Sequence, residues 1–217
     1  SMRTKTDADR VLGLGVDPEK VRVNGNIKFD VLASGEDIFP LGTQESSWVV
    51  FGSTRPGDEG VVMETIVKLY QEYPRLKFVV APRHLERLRE VKELMVTYGL
   101  EFQLHSERLG SGNSRLVLLD RLGELNEYYA KACLAFVGGG FNPRFGGQNI
   151  IEPASFGLPV VFGKHMNNFE EEARLLVESG GGIQLNSPEE LHGVFNQLLA
   201  DQEERQRLGK KAWETVV

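Results

Sequence analysis

Residues 48–82 read WVVFGSTRPGDEGVVMETIVKLYQEYPRLKFVVAP, and the pattern in this stretch is enough to indicate the fold. A short apolar run over 48–52 is followed by a helical spacing of apolar residues over about 58–73, and a second apolar run covers 77–81. Short continuous apolar strands that alternate with helices are typical of a parallel sheet covered on both faces. The stretch therefore predicts one unit of a doubly wound, Rossmann-like α/β domain.

The same alternation continues along the chain and predicts one such domain from about residue 46 to residue 200. Further strands are predicted over 116–119, 134–137, 159–162 and 182–185. Helices are predicted over 85–98, 122–131, 150–156, 170–179 and 188–200, with a polar last helix over 202–215 and a short amphipathic helix over 6–15.

Composition and charge argue against several classes of protein. The chain has 217 residues, of which 41% are hydrophobic and 26% charged, the ordinary balance of a soluble globular protein. Lys and Arg total 25 against 31 Asp and Glu, which gives a net charge of −6. This charge argues against a nucleic-acid partner, because domains that bind nucleic acids usually carry a basic face. No apolar run approaches the roughly 20 residues of a membrane span. Cys133 is the only cysteine, so no internal disulfide can form and a reducing compartment is expected.

Five loops that follow predicted strands concentrate glycines and polar residues. Ligands of doubly wound sheets bind beyond the carboxyl ends of the strands, where the strand order reverses. We therefore expect a binding site built from residues 52–57, 82–84, 120–124, 138–149 and 163–165. Dinucleotide-binding and P-loop spacings are absent from these loops, and the four histidines lack metal-ligand spacing.

The loop over 138–149 has the features of an anion and sugar-hydroxyl site. Three glycines follow a strand, and free N–H groups at the start of the next helix favour an anion. Glu152 lies three residues after Asn149, and its carboxylate can accept hydrogen bonds from two ribose hydroxyls. The alternative is a local role, in which Asn149 caps the helix and Glu152 completes a capping box.

Arg83 is the predicted phosphate ligand. It follows a strand and Pro82, and a guanidinium at that point can hold a phosphate by paired hydrogen bonds. The alternative is a surface arginine that pairs with Glu86 or Glu90.

A series of motifs occurs in order over nearly the whole chain: NGNIKFD (24–30), PRHxER (82–87), GEL (123–125) with Tyr129, FVGGG (136–140), RxGGQN (144–149), EPA (152–154) and GxHxxNF (163–169). Together they resemble the 3-deoxy-D-manno-octulosonic acid (Kdo) transferases. The resemblance implies a GT-B arrangement of two facing Rossmann-like domains. It also implies transfer of Kdo from CMP-Kdo to a lipid A precursor in lipopolysaccharide synthesis, with the donor held by the C-terminal domain.

The resemblance also implies which residues contact the donor. The expected CMP contacts are Pro82, Arg83, Leu122, Gly123, Glu124, Asn149, Ile150, Ile151 and Glu152. The candidate further contacts of the donor are Ser53, Thr54, Gly139, Gly140, Arg144, Gly147, Gln148 and His165. No catalytic residue is expected in this chain, because the family's proposed base, a glutamate, belongs to the acceptor domain. No metal or other cofactor is implied.

The implied organisation is the C-terminal half of a GT-B glycosyltransferase. Residues 1–20 would be the end of the preceding domain and a linker, and residues 21–217 the CMP-sugar-binding domain with its C-terminal helix. The lipid A precursor would bind to the N-terminal domain. The full-length protein is expected at the cytoplasmic face of the bacterial inner membrane, while the present half is expected to be soluble and inactive alone.

The chain departs from the family pattern at Gln148 and Ile150, where the family commonly has His and Pro. Gln148 keeps hydrogen bonding but cannot titrate, and Ile150 removes a pre-set helix start. Two alternatives stay open beside the Kdo transferases. One is a UDP-sugar-using GT-B transferase or epimerase with the same glutamate on the ribose, and the other is a nucleotide-binding module without chemistry.

Overall fold

The computed structural model of the chain describes residues 5–22, 48–107 and 114–217. The chain separates into two compact units, residues 1–38 with Val217 and residues 39–216. In the first unit, helix α1 covers Lys5–Gly13, and a 3-10 turn over Pro18–Lys20 is capped by Asp17, whose carboxylate accepts from the N–H of Glu19. The motif over 24–30 lies outside the described residues. The domain boundary near residue 20 stays a prediction.

The second unit is built on a parallel sheet. Its strands in the described residues are β1 Trp48–Thr54, β2 Lys77–Pro82, β3 Gln103–Leu104, β4 Leu116–Leu118, β5 Ala132–Val137, β6 Val160–Gly163 and β7 Gly182–Leu185. They are ordered β3-β4-β2-β1-β5-β6-β7, and every pair is parallel. The predicted doubly wound α/β fold is confirmed, with the short edge strand β3 as an addition. The strand order reverses between β1 and β5.

Helices connect most successive strands of this sheet, and two more follow β7. They are α2 Asp58–Glu72, α3 Leu88–Thr97, α4 Leu125–Tyr129, α5 Ile151–Ser155, α6 Glu170–Ser179, α7 Glu190–Ala200 and α8 Gln202–Val216. The helix predicted over 122–131 begins later than expected because Gly123 has a φ of +87°, which no right-handed helix accommodates, and it ends at Tyr129. The helix predicted from residue 85 begins with a 3-10 turn over Leu85–Arg87. No helix of the described residues has the length and apolar character to cross a membrane.

Alternate residues of the central strands belong to two different cores. On β1, Val49 and Phe51 pack against the helices α2, α3 and α7, whereas Val50 packs on the opposite face with Tyr128 and Tyr129 of α4. All five side chains are buried. The absence of polar residues between them in β1 follows from this burial on both faces.

Candidate functional site

A cleft of about 370 Å³ opens at the carboxyl edge of the sheet, beside the reversal of strand order. Its walls come from the ends of β1 and β2, the loop after β4 and the segment that joins β5 to α5. Eight of the residues predicted to contact the donor line this cleft: Ser53, Pro82, Arg83, Leu122, Gly123, Gln148, Asn149 and Glu152. The structure thus brings together residues that are about 100 positions apart in the sequence.

The other nine predicted residues lie outside the cleft lining. Ile150 and Ile151 are at most 2% exposed, so their side chains belong to the core. Glu124 lies at the N-terminus of α4, where a carboxylate is favoured by the helix dipole. The remaining six lie in neighbouring loops or strand ends: Thr54, Gly139, Gly140, Arg144, Gly147 and His165. Their contact with a donor stays a prediction.

The guanidinium of Arg83 is exposed in the cleft, and no carboxylate of the described residues pairs with it. The two acidic neighbours that were the alternative partners are engaged elsewhere. Glu86 lies 3.2 Å from Nδ1 of His84, and Glu90 lies 3.0 Å from a guanidinium nitrogen of Arg87. The main chain of Arg83 is fixed, because its N–H donates to the carbonyl of Thr54 at 3.0 Å. The main chain of Arg83 is therefore fixed, while its cationic side chain is available to an anion.

Asn149 and Glu152 form a local pair that also faces the cleft. Asn149 Oδ1 accepts from the N–H of Ile151 at 3.1 Å, and its Nδ2 donates to Glu152 Oε1 at 3.1 Å. This is not the reciprocal capping box, since the carboxylate bonds to the amide side chain of Asn149 and not to its main chain. The N-cap residue of α5 is Ile150, so Asn149 is not the cap that the alternative predicted. Its Oδ1 still accepts from the first N–H of the helix, and both Asn149 and Glu152 line the cleft.

The loop over residues 138–149, called the glycine segment below, uses its N–H groups largely within the fold. Gly138 donates to the carbonyl of Gly52 at 2.9 Å, Gly139 to Asp58 Oδ2 at 2.7 Å and Gly147 to the carbonyl of Gly139 at 3.0 Å. Of these three residues, Gly139 and Gly147 were predicted as candidate contacts of the donor. In the structure these N–H groups hold the loop, so the cationic groups that the described residues supply at the cleft are the side chains of Arg83 and Arg121.

Ser53 stands at a strained point of the cleft wall. Its φ of 52° makes it the non-glycine residue of the described chain with a left-handed backbone, and the pairing of β1 with β2 shifts register beside it. Such conformations cost on the order of 1–3 kcal/mol and are concentrated at functional sites. The strained backbone supports a role for Ser53 in the cleft. The sequence gives no sign of this backbone conformation, because the residue is not a glycine.

Charges are distributed unevenly around the cleft. Arg83 and Arg121 are the cationic lining residues, and Glu152 is the anionic one on another wall. Burial raises the pKa of the Tyr129 hydroxyl, and the carboxylate of Glu152 makes a smaller contribution in the same direction. This hydroxyl therefore stays protonated. No cluster of three or more His, Cys, Asp or Glu that could hold a metal occurs among the described residues.

Sequence reasoning missed several apolar lining residues and the buried residues that support the cleft. Leu85, Leu125 and Phe169 line it but were not predicted as contacts of the donor, although Leu125 and Phe169 lie in motifs that carry the family resemblance. Two adjacent carboxylates at the start of α2, Asp58 and Glu59, are only 1% and 3% exposed. Acidic residues in the first turn of a helix are ordinarily solvated, so their burial could not have been predicted.

Solved structures share this architecture. The C-terminal CMP-Kdo binding domain of WaaA from Acinetobacter baumannii has a TM-score of 0.73 and 25% sequence identity, covering 88% of this chain and 98% of that one. UDP-GlcNAc 2-epimerase from Neisseria meningitidis, bound to UDP-GlcNAc, shares the fold with a TM-score of 0.57 and 17% identity, covering 98% and 57%. The fold and the cleft at its switch point define an α/β domain of the GT-B glycosyltransferase class.

Sequence comparison narrows the class. No protein-family model matches the chain. The 3-deoxy-D-manno-octulosonic acid transferase of Haemophilus influenzae is 33% identical over 216 residues, which cover 96% of this chain and 50% of the relative. The chain belongs to the Kdo transferase family, as the motifs indicated. It spans about half the length of the curated relatives that it matches.

Proposed function

We propose that this chain is the donor-binding half of a glycosyltransferase that moves Kdo from CMP-Kdo to a lipid A precursor. The observation that carries the proposal is the guanidinium of Arg83, which no carboxylate of the described residues pairs with and which shares one cleft with the Asn149–Glu152 pair. A nucleoside monophosphate offers a phosphate and two adjacent ribose hydroxyls, which these groups complement. The likeness to a CMP-Kdo binding domain supports the choice of nucleotide.

Each side of the cleft has a distinct part in the proposed reaction. Arg83 binds the phosphate, and Glu152 accepts hydrogen bonds from the ribose hydroxyls. The acceptor hydroxyl attacks the anomeric carbon of Kdo, its proton passes to a base, and the bond from that carbon to the phosphate oxygen breaks. Negative charge then grows on the departing CMP, and a guanidinium placed beforehand at the phosphate stabilises it.

The remaining parts of the proposal rest on the family resemblance. The base and the site for the lipid A precursor belong to an N-terminal acceptor domain. A lipid acceptor implies that the full-length protein works at a membrane, and the proposed place is the cytoplasmic face of the bacterial inner membrane. The chain alone would then bind the donor without transferring Kdo.

Calorimetric titration with CMP, UMP and UDP tests the proposal. We expect CMP to bind more tightly than UMP, and no advantage for UDP. The fold likeness to an epimerase bound to UDP-GlcNAc favours a UDP-sugar enzyme as the second candidate, and a preference for UDP would establish it in place of the first. No binding of any of the three would contradict a donor site for a pyrimidine nucleotide in this chain.

Glu152→Gln is expected to weaken CMP binding about five- to tenfold, since one ribose hydroxyl loses its acceptor at a typical net value of about 1 kcal/mol. Binding of 2′,3′-dideoxy-CMP, which has no such hydroxyls, should be nearly unchanged by the substitution. Glu178→Gln is the control, because this exposed glutamate pairs with Arg174 on α6. Equal losses for CMP and the dideoxy nucleotide would limit Glu152 to a local structural role.

A further inference from the structure

Asp58 joins two loops on opposite sides of the switch point. It is the first residue of α2, only 1% exposed, and its Oδ2 accepts from the N–H of Arg55 at 2.8 Å and from the N–H of Gly139 at 2.7 Å. Arg55 belongs to the loop after β1, whereas Gly139 belongs to the segment after β5. One carboxylate oxygen therefore ties together the two loops between which a ligand of this fold binds.

The surroundings of Asp58 are shaped for this contact. A side chain at Gly138 would place its Cβ 2.6 Å from Asp58 Oδ2, so the missing side chain is what lets the carboxylate reach the next N–H. The connection continues to the cleft, because the carbonyl of Gly139 accepts from Gly147 at 3.0 Å. Gly147 is followed directly by Gln148 and Asn149, whose side chains line the cleft.

We infer that Asp58 is a positioning residue, whose ionised carboxylate holds the glycine segment against β1 and so aligns Asn149 and Glu152 with Arg83 for the nucleotide. The inference rests on the proposed function, since it assumes that the cleft binds the donor nucleotide. Asp58 itself touches no ligand. It acts through Gly139 and Gly147 on the side chains that do.

Two charged groups act directly on Asp58, and they oppose each other. Glu59, the next residue of α2, disfavours a second negative charge, while Arg55 favours it. Burial is the dominant effect, and it raises the pKa of Asp58 to about 6 against the hydrogen bonds from Gly139 and Arg55. The carboxylate therefore changes charge close to neutral pH.

The direction of the pH effect separates a positioning role from a structural one. The pKa of Asp58 in the folded chain lies above its ordinary value of 3.8, so the folded state binds the extra proton and its free energy of unfolding falls as the pH rises from about 4 to 6. If the nucleotide needs the ionised form, its affinity rises over the same window. A carboxylate that only stabilised the fold would not make binding and stability change in opposite directions.

The test is the pH dependence of binding of the methyl ester of CMP. This phosphodiester keeps one charge between pH 5 and 7.5, whereas CMP itself titrates near pH 6. With a pKa of about 6, roughly one tenth of Asp58 is ionised at pH 5, so we expect affinity to be about tenfold weaker there than at pH 7.5.

Asp58→Asn should make the affinity nearly independent of pH. Glu59→Gln is the matched control, because it removes a buried carboxylate from the same helical turn, where Glu59 pairs with Arg87 at 2.5 Å and not with the glycine segment. This control should keep a dependence in the same direction, with the loss of affinity moved to lower pH because Glu59 no longer disfavours the charge on Asp58. Loss of the dependence in both variants, or its persistence in Asp58→Asn, would overturn the inference.

The amide resonances of Arg55 and Gly139 in the 15N-labelled chain give a readout that needs no ligand. Both should shift together with a midpoint near pH 6, and neither should titrate in Asp58→Asn. If the amides titrate and the phosphodiester does not bind, the proposed function is refuted, while the contact of the Asp58 carboxylate with both loops is supported. If it binds with no dependence on pH, the positioning role is refuted and the proposed function stands. Should Asp58→Asn fail to fold, the unsubstituted chain and Glu59→Gln still give both results.

Discussion

Arg83→Ala should weaken CMP binding about 10- to 100-fold, which corresponds to the 1.5–3 kcal/mol typical of hydrogen bonds to a charged group. Cytidine should bind this variant almost as well as it binds the unsubstituted chain. The reason is that the lost partner is the phosphate, while the rest of the cleft is unchanged. Calorimetry with both ligands measures the two losses separately.

The geometry of Arg83 lets the substitution remove the side chain without disturbing the main chain of its loop. Its N–H bond to the carbonyl of Thr54 does not involve the side chain, so the truncated variant keeps the loop anchored. Arg89→Ala is the control for removal of one positive charge, because Arg89 is exposed on α3 and pairs with Glu93. Equal losses for CMP and cytidine in the Arg83 variant would show that the substitution disturbs the cleft as a whole and that Arg83 does not bind the phosphate.

Gly138→Ala should destabilise the fold by about 3 kcal/mol or more, a large value for adding one methyl group. The new Cβ would lie 2.7 Å from both the carbonyl oxygen of Ser53 and the Cα of Thr54. These are main-chain atoms of β1, so they cannot move aside as the end of a flexible side chain can. Urea unfolding should show a lower midpoint, and any folded fraction should bind CMP poorly because the glycine segment is displaced.

Gly193→Ala is the matched control for this substitution. It adds the same methyl group within α7, where nothing lies within 4 Å of the new Cβ. Ala is the better helix former, so this variant should gain about 0.5–1 kcal/mol. A Gly138→Ala variant as stable as the Gly193→Ala variant would mean that the segment after β5 can withdraw from β1, and that the close approach is not required.

Most of the fold was predictable because its strands are buried on both faces. Runs such as residues 77–81 and 134–137 are continuous, apolar and short, which distinguishes them from helices without any tertiary information. β3 was missed because two half-buried residues, Gln103 and Leu104, carry no such pattern. Gly123 shortened α4 through its positive φ, which the sequence shows only as one more glycine.

The site was predictable in part, because the rule for parallel sheets indicates which loops meet at one edge. Arg83, Asn149 and Glu152 were predicted in this way and line the cleft. The rule does not say which side of a loop faces a ligand. Ile150 and Ile151 were included with their neighbours, and their side chains are in the core.

The sequence alone therefore determined the class of fold, the family, the edge of the sheet at which the predicted site residues meet and the residue types that a nucleotide would need. Periodicity and motifs are local properties of the sequence, so they can be recognised without knowledge of tertiary contacts. The tertiary structure decided which groups are available: within the described parts of the chain it left the guanidinium of Arg83 without a carboxylate partner, engaged the N–H of Gly139 and buried Asp58. Hydrogen bonding and burial depend on partners about 80 residues away along the chain, so no local pattern could have specified them.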